Sequence, residues 1–223
     1  MKILGIDTSS KFLCIGAYDD GNTCEYNMDL GRLHSRLIMV AVKRVVESMK
    51  WDLEDIDYFA CGLGPGSFTG LRIGVSTIKG LAFSLNKPVL GFSSLDILAE
   101  NIDMEGPVVP AIDAKRNLIY CGIYKNKQDE LKRVSSYMLI SIDEFIKKLP
   151  RGSIILGDAV SLYKNRILTG VQKAAILDED FWYPRAGNII SLALKQIEGK
   201  KINNAFDIKP IYLYPKECQV RKL

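Results

Sequence analysis

Two aspartates, one glycine-rich block and a single histidine are the residues of this chain whose types and spacing could do chemistry. Asp7 and Asp113 each end an apolar run, and a carboxylate at such a strand end can hold Mg²⁺ through water, the first requirement of a phosphoryl-transfer site. The block Gly62-Leu63-Gly64-Pro65-Gly66-Ser67-Phe68-Thr69-Gly70-Leu71-Arg72-Ile73-Gly74 reads as a tight turn opening a helix, with Ser67 or Thr69 able to cap it and to contact an anion. It matches neither nucleotide fingerprint, because no lysine follows the glycines and Ser67 stands where a dinucleotide loop wants glycine. His34 is the chain's only histidine, and the residue four places on is Ile38, so a histidine-rich metal centre cannot be built from this chain alone. His34 is therefore expected as a capping or surface residue. Ser67 and Thr69 have no other histidine to activate them, which sets a peptidase lowest among the enzyme readings.

The elements that must position these residues follow from periodicity. Ile3 to Ser10 and Phe12 to Tyr18 read as a hairpin carrying Asp7, with a third strand near Thr23 to Asn27. A helix is expected from Ser35 to Lys50, where Leu37, Ile38, Met39, Ala41, Val42, Val45, Val46 and Met49 fill an apolar arc of roughly 200°. A second helix, about Gly70 to Leu85, buries one stripe and leaves Ile73, Ser76, Gly80, Phe83 and Ser84 as a second, uncharged surface. These surplus faces predict that Met39, Val42, Val46, Ile73, Ser76, Gly80 and Phe83 form a subunit interface.

Composition bounds the class. With 223 residues and 48% hydrophobic content the chain can bury a core, and no apolar run approaches the roughly 20 residues of a membrane span. A reduced, cytoplasmic setting is expected, since the five cysteines are scattered and form no Cys-x-x-Cys pair. A net charge of +4 is too small to mark a nucleic-acid binder, although Lys200-Lys201 and Arg221-Lys222 are local clusters suited to phosphate.

The opening hairpin recurs. Val108 to Asp113 followed by Leu118 to Tyr124 repeats it at an offset of about 106 residues, placing Asp7 over Asp113, Gly16 over Gly122 and Tyr18 over Tyr124. Two related halves are expected, residues 1–103 with the interface helices and residues 104–223 as a degenerate repeat. The second half adds a strand near Tyr137 to Ile140, a capping box Ser141-x-x-Glu144, a strand Ser153 to Leu156, helices near Val160 to Arg166 and Asn188 to Glu198, and a short extended surface segment Pro210 to Pro215.

Gly5-Ile6-Asp7-Thr8-Ser9, the Gly62 to Gly74 block, the duplicated hairpin and the terminal Pro-x-Tyr-Leu together resemble the bacterial TsaB (YeaZ) family over essentially the whole chain. The terminal motif departs from it at Tyr214, where that family commonly has a basic or polar residue. The resemblance implies an α/β, actin-like ATPase (ASKHA) fold of two ribonuclease-H-like lobes related by duplication. It further implies a non-catalytic scaffold in the synthesis of tRNA threonylcarbamoyladenosine. The partners would be a catalytic, metal-bearing TsaD-like paralogue, which transfers threonylcarbamoyl from its adenylate, and a TsaE-like ATPase. Alone the chain would form a homodimer, and its contact with tRNA would be indirect. It would carry no cofactor or metal of its own, an adenine nucleotide at the heteromeric interface remaining open. A small-molecule kinase or ATPase of the same fold is the first alternative and a glycoprotease-like peptidase the second. Against the first, the second hairpin Asp113-Ala114-Lys115-Arg116-Asn117 lacks the glycines and hydroxyls that would cradle phosphates.

Overall fold

The computed structural model describes residues 1–31, 33–127, 130–199 and 204–215. The first unit opens with β1 (Lys2–Asp7), β2 (Phe12–Asp19) and β3 (Asn22–Asp29), followed by α1 (His34–Ser48), β4 (Tyr58–Gly62), α2 (Phe68–Ser84) and β5 (Val89–Phe92). Its sheet has the order β3-β2-β1-β4-β5, antiparallel through β1 and parallel beyond. Period-two alternation sends Leu4, Ile6, Leu13, Ile15, Phe59 and Cys61 to one face, where they pack with α1 and α2. Ile3, Cys14, Ala60 and Leu90 go to the other.

That second face is covered from the far end of the chain. The unit comprises Met1–Ile97 together with Pro184–Pro210, so α6 (Ala186–Glu198) returns to lie on the first sheet through Ala186, Ile189, Ile190 and Ala193. The division at 103/104 expected from the repeat is therefore crossed. The cause is apolar surface: a sheet buried on both faces needs a helix on each, and α1 and α2 both go to one side. Gly5 and Gly16, paired across β1 and β2, make the hollow for α6, since a Cβ at 5 would stand 2.7 Å from Ile189 Cγ2 and one at 16 would stand 2.8 Å from the Ala186 carbonyl oxygen.

The second unit, Leu98–Tyr183 with Ile211–Leu223, repeats the plan. The short helix α3 (Ser94–Ala99) leads into it, followed by β6 (Gly106–Asp113), β7 (Leu118–Cys121), the inserted hairpin β8 (Tyr124–Lys127) and β9 (Glu130–Arg133), and β10 (Met138–Ser141). Then come α4 (Ile142–Lys148), β11 (Ile154–Leu156), α5 (Ala159–Gly170) and β12 (Ala175–Ile176). Its main path, β10-β7-β6-β11-β12, matches the first sheet strand for strand. The two sheets thus repeat one plan, as the recurrence of the opening hairpin predicts. Ser141 caps α4 through both bonds of the expected capping box.

The end of the described chain is pinned. Tyr214 donates its hydroxyl to the Ala114 carbonyl at 2.9 Å, and its ring meets Tyr120 edge-on at 6.1 Å. The segment expected as simple surface thus hooks the second hairpin through the residue that departs from the family pattern. Lys200, Lys201, Cys218, Arg221 and Lys222 lie outside the described residues.

Candidate functional site

Asp7 ends β1, where the parallel strands of an α/β sheet present their ligand-facing edge. Its side chain is fully buried and both oxygens are occupied. Oδ1 accepts from the Ser9 amide at 2.8 Å and the Ser9 hydroxyl at 2.6 Å, and Oδ2 accepts from the Ser94 hydroxyl at 2.6 Å. Burial pushes the Asp7 carboxyl above the usual carboxylate range, opposed by the bonds from Ser9 and Ser94. A carboxyl so enclosed is shielded from solvent, whereas the kinase reading needs it turned toward a hydrated Mg²⁺.

The glycine-rich block closes over this aspartate. Gly64 takes φ +89°, and it clamps Ser94 both ways: its amide donates to the Ser94 hydroxyl at 3.1 Å and its carbonyl accepts from the Ser94 amide at 2.8 Å. A Cβ at Gly62 would stand 1.8 Å from Asp7 Oδ2. Cβ atoms at Gly66, Gly70 and Gly74 would meet the Ser9 carbonyl, the Thr8 carbonyl and Thr8 Oγ1 at 2.4, 2.1 and 2.3 Å. Thr8 Oγ1 donates to the Gly70 carbonyl at 2.7 Å, and the Ser67 amide donates to the Ser9 carbonyl at 2.7 Å. The glycines are thus accounted for by backbone laid against the segment Asp7-Thr8-Ser9. Ser67 caps α2, its hydroxyl accepting from the Gly70 amide at 3.2 Å, and Ser67 and Thr69 are both exposed at the helix start.

The second hairpin keeps the skeleton without the enclosure. Asp113 pairs with Lys115 through both its backbone amide and its ammonium, which raises the Lys115 pKa. The Asp113 amide in turn donates to Asp158 at 2.8 Å, and burial raises the pKa of the Asp158 carboxyl. Lys115, Arg116 and Asn117 all take positive φ. Among the described residues no group of three or more His, Cys, Asp or Glu could hold a metal ion, and no helix is long and apolar enough to cross a membrane.

His34 lies elsewhere than expected. It opens α1 at only 4% exposure, and its Nε2 has no hydrogen-bond partner among the described residues. The first turn of an amphipathic helix places it on the core-facing stripe with Ile38, Ala41 and Val45, so it is neither a cap nor a surface residue.

The predicted interface residues divide. Met39 is 47% and Phe83 66% exposed, Ser76 and Gly80 are exposed, and Ile73 is half-buried against the core. Val42 and Val46 are not interface residues: at 1% and 5% exposure they belong to the core that includes Val75, Ile78 and Ile208. The arc on α1 is wide because that helix packs on the sheet and on α2 together, so the surplus is spent inside the chain. Sequence reasoning missed Val40, exposed on the outer face of α1, and Phe206, 64% exposed and edge-on to Phe83 at 5.3 Å. Phe206 is held there by Ala205 and Ile208, which anchor its segment in the core. Met39, Val40, Phe83 and Phe206 are thus large apolar side chains left exposed on one unit.

Residues 29–181 match the family model described as TsaD: tRNA N6-adenosine threonylcarbamoyltransferase. The tRNA threonylcarbamoyladenosine biosynthesis protein TsaB of Bacillus subtilis (strain 168) is 37% identical over 172 residues, 75% of each chain. The protein of the same name from Haemophilus influenzae is 28% identical, with 96% of this chain and 93% of that one covered. Among solved structures, YeaZ from Pseudomonas aeruginosa superposes with a TM-score of 0.84 at 27% identity, over 95% of this chain and 99% of that one.

Proposed function

The chain belongs to the TsaB family of tRNA threonylcarbamoyladenosine biosynthesis proteins, and from that premise we propose that it is the non-catalytic scaffold subunit of that synthesis, docking a TsaD-like transferase on the outer face of α1 and α2. The observation that carries this reading is the exposed apolar set Met39, Val40, Phe83 and Phe206. The likeness of residues 29–181 to the transferase family supports a partner of related fold, whose corresponding helices would meet these in a helical bundle. The enclosure of Asp7 by Ser9, Ser94 and Gly62 supports the absence of independent nucleotide turnover.

In this reading a TsaE-like ATPase joins the pair and tRNA is held chiefly by the transferase. Should an adenine nucleotide bind at the heteromeric interface, Ser67 and Thr69 at the start of α2 are the groups of this chain suited to its anion. Without the transferase the same face pairs with a second copy. The work is done in the cytoplasm, where tRNA is modified.

Reconstituted threonylcarbamoyl transfer to tRNA tests this, run with the transferase and the ATPase, with and without this chain, and with this chain alone. Modification that requires the chain, together with inertness of the chain by itself, is expected. ATP hydrolysis or phosphorylation of a small acceptor by the chain alone would overturn the assignment in favour of a kinase.

A further inference from the structure

The charge imbalance of the whole molecule sits on the two helices of that face. α1 carries Arg36, Lys43 and Arg44 against one carboxylate, Glu47, and α2 carries Arg72 and Lys79 against none. Of the chain's 30 Lys and Arg and 26 Asp and Glu, this leaves 25 of each sign everywhere else. The net +4 is local.

Geometry puts these cations around the apolar side chains. At 100° per residue, Arg36, Met39 and Lys43 fall within roughly 60° on α1, with Val40 beside Arg36; Arg72, Ser76, Gly80 and Phe83 fall within roughly 80° on α2. All of them are exposed. Lys43 reaches Glu47 at 3.6 Å, and the Arg72 guanidinium lies 3.8 Å over the Phe68 ring. The segment bearing Phe206 adds Asp207 and Lys209, which cancel.

Resting on the docking face proposed above, we propose that this face selects an acidic, apolar-centred helical surface of a different protein in preference to a second copy of itself. A two-fold homodimer uses the same patch twice, so the cationic frame would meet its own image. Like charges brought together at a contact oppose it, whereas a carboxylate-bearing partner gains from the same frame. The exposed apolar side chains favour a protein over RNA, because Met39, Val40, Phe83 and Phe206 would stay wet against a phosphate backbone. The homodimer is the weaker, salt-strengthened state and the heteromer the salt-weakened one.

Titration calorimetry of the full chain against the purified transferase at ~50 and ~500 mM KCl, beside sedimentation equilibrium of the chain alone, reads this directly. The heteromeric Kd should rise about tenfold between those salts, and R36E or R44E should raise it about three- to tenfold at low salt while far-UV circular dichroism stays unchanged. The homodimer should tighten as salt rises. Heteromeric pairing indifferent to salt and to both reversals would overturn the inference, as would a homodimer that is tighter at low salt. Binding of tRNA by this chain alone that R36E and R44E abolish would also overturn it, assigning the cations to RNA. F83D separates the two levels. If it leaves pairing intact, the docking face itself is refuted; if it abolishes pairing while the charge reversals do nothing, only the selection by charge falls.

Discussion

Replacing Gly62 by alanine should be among the most damaging single-carbon additions available to this chain. The new Cβ would stand 1.8 Å from Asp7 Oδ2 and 2.6 Å from its Cγ, where ordinary contact begins near ~3.4 Å. The carboxyl must therefore move by roughly 1.5 Å, and it is fully buried with its Oδ2 held at 2.6 Å by Ser94. Losing that hydrogen bond costs about 1.5–3 kcal/mol, and forcing volume into a packed interior a further ~1–3 kcal/mol. The expected total of about 2.5–6 kcal/mol is a large share of the ~5–15 kcal/mol that holds a typical domain folded. Urea unfolding read by Trp51 measures it, because that side chain is buried in the first unit's core whereas Trp182 packs in the second, and a W182F background isolates the signal. A loss below about 1 kcal/mol would refute the argument, since it would mean that Asp7 can be displaced without consequence.

Three other outcomes follow from the same reasoning. G80A should raise stability by about 0.5–1 kcal/mol in the same urea assay, because a Cβ there meets nothing within 4 Å and the helix interior gains from alanine. V46D should abolish folding while F83D leaves the far-UV circular dichroism of the isolated chain intact, the first residue being 5% and the second 66% exposed. The Asp7 carboxyl has a raised pKa in the folded state, so the fold binds the proton more tightly than the unfolded chain does. Its contribution to stability is full below the ordinary value of 3.8 and is lost as pH rises through the raised folded value. Wild type should accordingly lose stability relative to D7N as pH climbs through that window, in urea titrations at successive pH values; parallel curves would contradict it.

Local signals carried most of the architecture into the sequence. Apolar runs on either side of a polar turn announced β1 and β2, the repeat announced β6 and β7, and Ser141 and Glu144 announced the start of α4, because each depends on neighbours a few residues apart. β5 gave no such signal: Val89 to Phe92 is a four-residue strand, too short for its apolar run to stand apart from the helix before it. The core side of the site was legible in composition but not in partners. The glycines of the 62–74 block pointed to close backbone approach, yet nothing in their spacing says that Asp7, Thr8 and Ser9 are what approaches. Val42 and Val46 misled because an apolar arc reports that a surface is covered without reporting by what. Phe206 was hidden for the opposite reason, being a lone aromatic in an irregular segment whose placement depends on Ala205 and Ile208 finding a core built mostly from residues before 100.

The return of α6 to the first sheet sets a schedule for synthesis. Ile3, Ala60 and Leu90 leave the ribosome with their covering helix still about a hundred codons away. At ~5–20 residues per second that apolar face waits roughly 5–20 s for closure. The second unit has most of its chain in hand before then, needing only the terminal hook of Tyr214 afterwards. The lobe that begins first is therefore completed late, and a nascent chain halted before residue 186 would display the inner face of its first sheet to any chaperone or aggregating neighbour.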